Sequence, residues 1–205
     1  MHGSADHPAT PRNGASIPFP GRVRRSERPR VQPGGRDALG VVNTLVCAIA
    51  ARRFGVAVPN VFATLGRHRR LFRAWLRFAA RLMPYGTLSR ADSELVILRV
   101  AIDCGSDYEW YQHVRLARRA GLTDEQIQRV GAGPDAPGWT DHQRALLRAA
   151  DEFTVDRTIG AATWAALSGT YEETQLIELC LLIGHYGMLG ATLNALGVEP
   201  DPPTA

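Results

Sequence analysis

The strongest constraint on the fold is the helical spacing of apolar residues, which recurs from about residue 37 onwards. No stretch alternates apolar and polar residues for long enough to predict a strand. Helix N-cap patterns, in which Ser or Thr stands three residues before an acidic residue or Gln, precede the apolar runs at Ser89, Ser106, Thr123, Thr140 and Thr170. Inward-facing stripes are predicted at 71–82 (Leu71, Phe72, Trp75, Phe78, Leu82), 145–153 and 176–183 (Leu176, Ile177, Leu179, Cys180, Ile183). The sequence therefore predicts an all-α, compact helical bundle.

The N-terminal part of the chain has a different composition. Residues 1–35 mix Pro, Gly, Ser and Arg without apolar periodicity, which predicts a disordered tail before a helical domain at 36–205. The first 36 residues hold seven Arg against two acidic residues, so a net charge of +5 lies there and −1 is left for the rest. Because the basic charge is confined to the tail, no nucleic-acid partner is expected.

The run Ala38–Ala51 permits two interpretations. It is either a helix that begins near Asp37 or a signal segment with small residues at Ala48 and Ala50, and the interruptions at Gly40 and Asn43 favour the helix. No other stretch predicts a membrane span, so no membrane partner is expected. Three widely spaced cysteines (Cys47, Cys104, Cys180) form no metal-binding or disulfide pattern, which indicates a cytoplasmic protein without a metal site.

The most informative stretch is Ser89–Gly121. An apolar helical run stops at Cys104-Gly105, and a second run carries Glu109 and His113 four residues apart, on one helix face. If the chain folds back at Gly105, Glu94 approaches this pair. Glu94, Glu109 and His113 are therefore the candidate catalytic residues, although Glu109 and His113 also fit a plain helix-surface pair and His113 a core histidine.

Several motifs resemble the carboxymuconolactone decarboxylase and alkylhydroperoxidase D-like superfamily over roughly residues 37–198. They are ELVILRVA from 94, DCGSDYEWYQHVRLARRAGLT from 103, ALLRAADEF from 145 and QLIELCLLIGHYGML from 175. The resemblance implies a compact helical fold, a homo-oligomer between dimer and hexamer, and a site on the two helices just described.

The sequence departs from the peroxidase members of that superfamily. Their two cysteine positions fall on Ser106 and Glu109, so the thiolate and the resolving thiol of a dithiol peroxidase are missing. Cys104 lies two residues before Ser106, about 200° around a helix, and does not replace them.

The remaining implication is a decarboxylase-like lyase or isomerase that needs no cofactor and acts on a small carboxylated or lactone-type molecule. In that hypothesis Ser106, Tyr108 and Trp110 line the substrate pocket and Arg99 binds a carboxylate. Structural interpretations compete: Ser106 as a helix cap, Arg99 paired with Asp103, and His185 and Tyr186 as packing residues. A non-catalytic oligomeric protein of the same fold is the alternative function, and an alkylhydroperoxidase-type antioxidant the distant one.

Overall fold

The computed structural model describes residues 16–54 and 59–202, and every regular element in these ranges is an α-helix, which confirms the predicted all-α class. In chain order the helices are α1 (Arg36–Phe54), α2 (Asn60–Leu65), α3 (Arg69–Leu82), α4 (Arg90–Cys104), α5 (Asp107–Arg119), α6 (Asp124–Val130), α7 (Asp141–Asp156), α8 (Ala161–Ser168) and α9 (Glu173–Leu196).

Helix α4 lies at the centre of the core. Its side chains from Leu95 to Leu98 are all buried, and it packs against α5, α7 and α9. A helix that is apolar on all sides must be covered on all sides, so the other helices surround it. Glu94, on the same helix, is also fully buried, and it is one of the candidate site residues.

The chain reverses between α4 and α5 at Gly105. This residue ends α4 in the left-handed conformation (φ 65°, ψ 35°), and Ser106 then caps the N-terminus of α5. A Cβ atom at Gly105 would stand 2.5 Å from the Arg22 carbonyl oxygen. Glycine is therefore required both by the backbone conformation and by the close approach of the N-terminal segment.

Four of the five predicted N-cap patterns begin a helix. The side-chain oxygen accepts the backbone amide three residues later at Ser89, Ser106, Thr123 and Thr140. The prediction at Thr170 is wrong, because the Thr170 amide bonds to the Leu167 carbonyl in the turn that ends α8. Helix α9 starts two residues later than that pattern implies, with Glu172 as its N-cap and Gln175 completing the capping box.

The segment 16–35 differs from the predicted disordered tail. Ile17 is buried, and its carbonyl accepts the Trp110 indole N–H at 3.0 Å. The Arg25 guanidinium pairs with Asp107 at 3.0 Å, and the Arg24 amide bonds to the Gly105 carbonyl. The segment is held by hydrogen bonds and one ion pair, which apolar periodicity does not detect. Residues 1–15 of the predicted tail lie outside the described residues.

Some apolar residues of the predicted stripes face solvent instead of the core. Leu71 and Phe78 of α3 and Ile177 of α9 are all exposed, so these helices are covered over only part of their apolar surface. Within the described ranges, α9 is long and apolar enough to cross a membrane, a feature the sequence reading had not identified. Half of its most apolar stretch is buried in the protein, and a core helix can have the same length and composition.

Candidate active site

Glu94, His113 and Glu109 form a hydrogen-bonded chain between α4 and α5. Glu94 Oε2 lies 2.6 Å from His113 Nδ1, and Glu109 Oε2 lies 3.4 Å from His113 Nε2. The second Glu94 oxygen, Oε1, forms an ion pair with the Arg90 guanidinium at 3.2 Å; Arg90 lies one turn earlier on α4. All three members of the chain are buried. The turn at Gly105 therefore brings the three predicted residues together.

The surroundings of His113 favour the protonated imidazole. Burial lowers its pKa, but the charge of Glu94 and the hydrogen bonds to both carboxylates outweigh burial and raise the pKa to about 9. In the protonated ring both nitrogens are donors, which matches one carboxylate on each side. At neutral pH the site thus holds an imidazolium between two carboxyl groups.

The imidazole and Glu109 lie on the wall of a cavity of about 790 Å³. Its lining is largely apolar and aromatic and comes from α1 to α5 and from α9. It includes Phe62, Trp75, Leu76, Leu116, Tyr186 and Leu189. A largely apolar cleft with a few convergent polar groups is the usual form of a small-molecule site. Glu94 does not line the cavity, so it contacts His113 from behind.

One face of α5 supplies most of the polar lining. Gln112, Leu116 and Arg119 follow Glu109 at spacings of three, seven and ten residues and share its face. Arg119 is exposed at the cavity and forms no ion pair with the described part of the chain. The sequence analysis did not select Arg119. It lies six residues after His113, which is about 120° away around the helix, so helical spacing from His113 does not identify it.

Helix α9 also contributes to the cavity, at positions interpreted from sequence as packing residues. The Tyr186 ring meets the His113 ring edge-on, with centroids 5.0 Å apart, and the neighbouring His185 lies on the same wall. Burial, with the nearby Glu109 and Glu94 charges, raises the Tyr186 pKa well above its usual value, so the phenol stays neutral. Both residues are therefore part of the site.

Tyr108 lines the cavity as predicted, but its hydroxyl is already bound. It donates to Asp201 Oδ2 at 3.0 Å and accepts the Val61 amide at 3.2 Å. With both partners in place, the hydroxyl is not free to stabilise an oxyanion. Tyr108 instead ties the C-terminal segment to the start of α2.

Two predicted pocket residues lie outside the cavity lining. The Ser106 hydroxyl is fully buried as the N-cap of α5, where it accepts the Glu109 amide at 3.5 Å. Trp110 points into the core and anchors Ile17, with its ring edge-on to Phe19. Both residues hold the fold together and do not line the site, which corrects their assignment to substrate binding.

Arg99 is also corrected from a carboxylate-binding residue to a structural one. Its guanidinium binds both oxygens of Asp151 on α7, pairs with Asp103 at 3.4 Å, and donates to the Val130 carbonyl at 3.1 Å. These partners use its donors on the side of α6 and α7, away from the cavity. The pairing with Asp103 is the interpretation favoured from the i,i+4 spacing.

Cys104 has no contact with the cavity. Its Sγ lies 3.8 Å from the Gly187 carbonyl, and burial together with Asp103 raises the thiol pKa. All three cysteines are free thiols. A buried protonated thiol is a poor nucleophile, so the geometry gives no support to a dithiol peroxidase site.

Comparison with protein families gives a match to the model described as "Carboxymuconolactone decarboxylase family", over residues 69–152. This span runs from α3 to α7 and contains Glu94, Glu109 and His113. Comparison with curated proteins gives no match.

Solved structures share the fold at low sequence identity. A peroxidase-related protein with an alkylhydroperoxidase AhpD core from Ralstonia eutropha JMP134 superposes with a TM-score of 0.74 at 19% identity, covering 91% of this chain and 94% of that one. The debrominase Bmp8 gives 0.72 at 16% identity, covering 86% and 94%. A putative antioxidant defence protein AhpD from Agrobacterium tumefaciens gives 0.58 at 21% identity, covering 67% and 93%. The family match over residues 69–152 and this shared helical architecture support the predicted resemblance to the carboxymuconolactone decarboxylase and alkylhydroperoxidase D-like superfamily.

Proposed function

We propose that this protein is a cofactor-independent acid/base lyase or isomerase that acts on a small carboxylated or lactone-type substrate. The observation that carries the proposal is the imidazole of His113, held between Glu94 and Glu109 on the wall of a largely apolar cavity. A non-catalytic protein would need neither this cavity nor a buried charged chain beside it, and unpaired buried charge is costly.

His113 is the proton donor in this proposal. In a decarboxylation, the bond between the substrate carbon and its carboxylate breaks, carbon dioxide leaves, and the electron pair passes into a conjugated enolate. The His113 imidazolium then gives its proton to carbon and recovers one from solvent. In an isomerisation, Glu109 takes the proton from carbon while His113 donates to the enolate oxygen, and the proton returns at a different carbon.

Glu94 acts through His113 and is a positioning residue. Its short hydrogen bond to Nδ1 fixes the ring so that Nε2 faces Glu109 and the cavity side. Its charge keeps the imidazole protonated at neutral pH. Arg90 pairs with the other Glu94 oxygen, so both oxygens of the carboxylate have a partner.

Arg119 is the proposed carboxylate-binding residue, in place of Arg99. Like His113, it stands on α5 and lines the cavity, and its guanidinium can bind a carboxylate that remains in the product. The match to the carboxymuconolactone decarboxylase family over residues 69–152 supports this class of substrate.

The test uses carboxymuconolactone and a panel of unsaturated carboxylic acids and lactones in deuterated water. We expect carbon dioxide release or deuterium incorporation at carbon with at least one compound, reduced about 100-fold or more in His113→Gln and Glu109→Gln. His142→Gln, a histidine outside the cavity, is the matched control and should keep the parent rate. Equal rates in the parent and in His113→Gln, or no proton transfer with the whole panel, would refute the proposal.

We also propose that the protein assembles with itself through the outer face of α1. Val41, Val42, Leu45 and Ile49 are all exposed there, next to the cavity wall that α1 contributes. A contiguous apolar face of this kind is typical of an interface. Light scattering after gel filtration should show an oligomer that Leu45→Arg reduces in mass, whereas Val155→Arg, on the exposed face of α7, leaves the mass unchanged.

A further inference from the structure

The side chain of His185 has no hydrogen-bond partner although it is almost completely buried. Its residue exposure is 5%, Nδ1 is inaccessible, and neither ring nitrogen bonds to any described residue. A buried polar atom without a partner costs about 1–3 kcal/mol, so a second unpartnered nitrogen on the same ring would add to that cost. Because Nδ1 is inaccessible and the ring lines the cavity, a molecule in the cavity can bind this imidazole at Nε2.

Aromatic side chains fix the orientation of this imidazole. The Trp75 indole is stacked on it at 6.1 Å with planes 26° apart, and the Phe78 and Tyr186 rings meet it edge-on at 5.4 and 5.1 Å. Three aromatic rings thus surround the imidazole, which forms no hydrogen bond with the described residues. This part of the cavity wall is therefore aromatic, with one stacked and two edge-on rings around His185.

His185 and His113 both contact Tyr186, since the centroid of each imidazole lies about 5 Å from that of the Tyr186 ring. The two histidines are nevertheless in different states. Burial and the positive charge of His113 lower the His185 pKa to about 4, so this imidazole is neutral at neutral pH. A neutral imidazole has one donor and one acceptor nitrogen, which matches a hydroxyl group and gives no charge to bind an anion.

We propose that the wall around His185 is a recognition site for a planar, unsaturated ring with an uncharged hydroxyl, which His185 hydrogen-bonds while Trp75 and Tyr186 contact the ring. This inference names the substrate class of the proposed active site and rests on the proposed function for its biological meaning. A ligand so placed lies in the same cavity as the His113 imidazolium, since both histidines line it and both contact Tyr186. Recognition by His185 is thus separate from proton transfer by His113.

The experiment measures binding and needs no turnover. Phenol and toluene have nearly the same size and differ in the hydroxyl, and both are titrated into the parent and into His185→Phe by calorimetry. We expect phenol to bind about threefold to tenfold more weakly to the variant, because one hydrogen bond is lost, while toluene binds at least as well as before. His142→Phe, which replaces a histidine outside the cavity, should leave both affinities unchanged.

Equal changes for phenol and toluene in His185→Phe, or no change for phenol, would overturn the proposal. Thermal unfolding of each variant separates loss of the hydroxyl contact from loss of the fold, and His185→Asn, which keeps a hydrogen-bonding group, should restore part of the phenol affinity. If this selectivity is found but no compound of the lactone panel turns over, the proposed reaction fails and the recognition site stands. If turnover depends on His113 but the loss of His185 does not weaken phenol binding, the recognition site fails and the proposed reaction stands.

Discussion

The replacement Glu94→Gln removes the charge that most raises the pKa of His113 and keeps the side-chain shape. Glu94 lies 2.6 Å from Nδ1, and the ring remains buried after the change. Burial lowers the pKa of an imidazole, and only the weaker contact to Glu109 at 3.4 Å remains to oppose it. We therefore expect the pKa of His113 to fall from about 9 to near or below its usual 6.5.

The raised pKa of His113 also sets the size of its contribution to the free energy of unfolding. A folded-state pKa of about 9 against 6.5 in the unfolded chain corresponds to about 3 kcal/mol, at about 1.4 kcal/mol per pH unit. Because the folded pKa is the higher one, this stabilisation is fully present below pH 6.5 and is lost as the pH rises through about 9. The free energy of unfolding should therefore fall by about this amount between these two pH values.

The assay combines a histidine NMR titration with urea unfolding at several pH values. His113→Gln serves as the reference, since the difference between its unfolding curves and those of the parent removes every other titrating group. Glu94→Gln should show a pH profile close to that of the reference. A parent imidazole that titrates at or below pH 6.5, or parent and His113→Gln profiles that run parallel, would refute the electrostatic account of the site.

Three further perturbations probe other parts of the structure. Gly105→Ala should lower the free energy of unfolding by about 2 kcal/mol or more in urea titrations, and by more than Gly121→Ala, which shares the positive φ (96°) but has no atom within 4 Å of its Cβ position. Arg119→Gln should raise KM for a carboxylated substrate about tenfold with little change in kcat, measured against Arg118→Gln, whose side chain pairs with Asp124. Cys104→Ser should leave any consumption of cumene hydroperoxide at the parent rate, and a loss of consumption would restore the peroxidase hypothesis.

The local parts of this fold follow from the sequence because they depend on residues close in the chain. The caps at Ser89 and Ser106 and the break at Gly105 each involve a few neighbouring residues, and helical geometry fixes the 3.4 Å approach of Glu109 to His113. The contact to Glu94 could also be anticipated, because a tight turn brings the two helices back on each other.

Contacts between distant parts of the chain could not be anticipated in the same way. The i,i+4 spacing predicts the pair of Arg99 with Asp103, whereas its other partner, Asp151, follows 52 residues later. The anchoring of Ile17 by Trp110 spans 93 residues and uses a backbone carbonyl, which every residue has. Neither pairing leaves a periodic pattern in the sequence.

The charges around the cavity explain why Arg119 and not Arg90 is the expected anion-binding residue. Arg90 and the His113 imidazolium are each within 3.4 Å of a carboxylate, and with Glu94 and Glu109 they make a set of four charges with no net charge. An anion that bound Arg90 would break its ion pair with Glu94. The fully buried Glu94 carboxylate would then lose one of its two partners. Arg119 lies outside this set, at the cavity and exposed, so binding an anion there breaks no existing ion pair among the described residues. The charges of Arg90, Glu94, Glu109 and His113 thus cancel before substrate binds. The positive charge that attracts a carboxylate is that of Arg119 on α5.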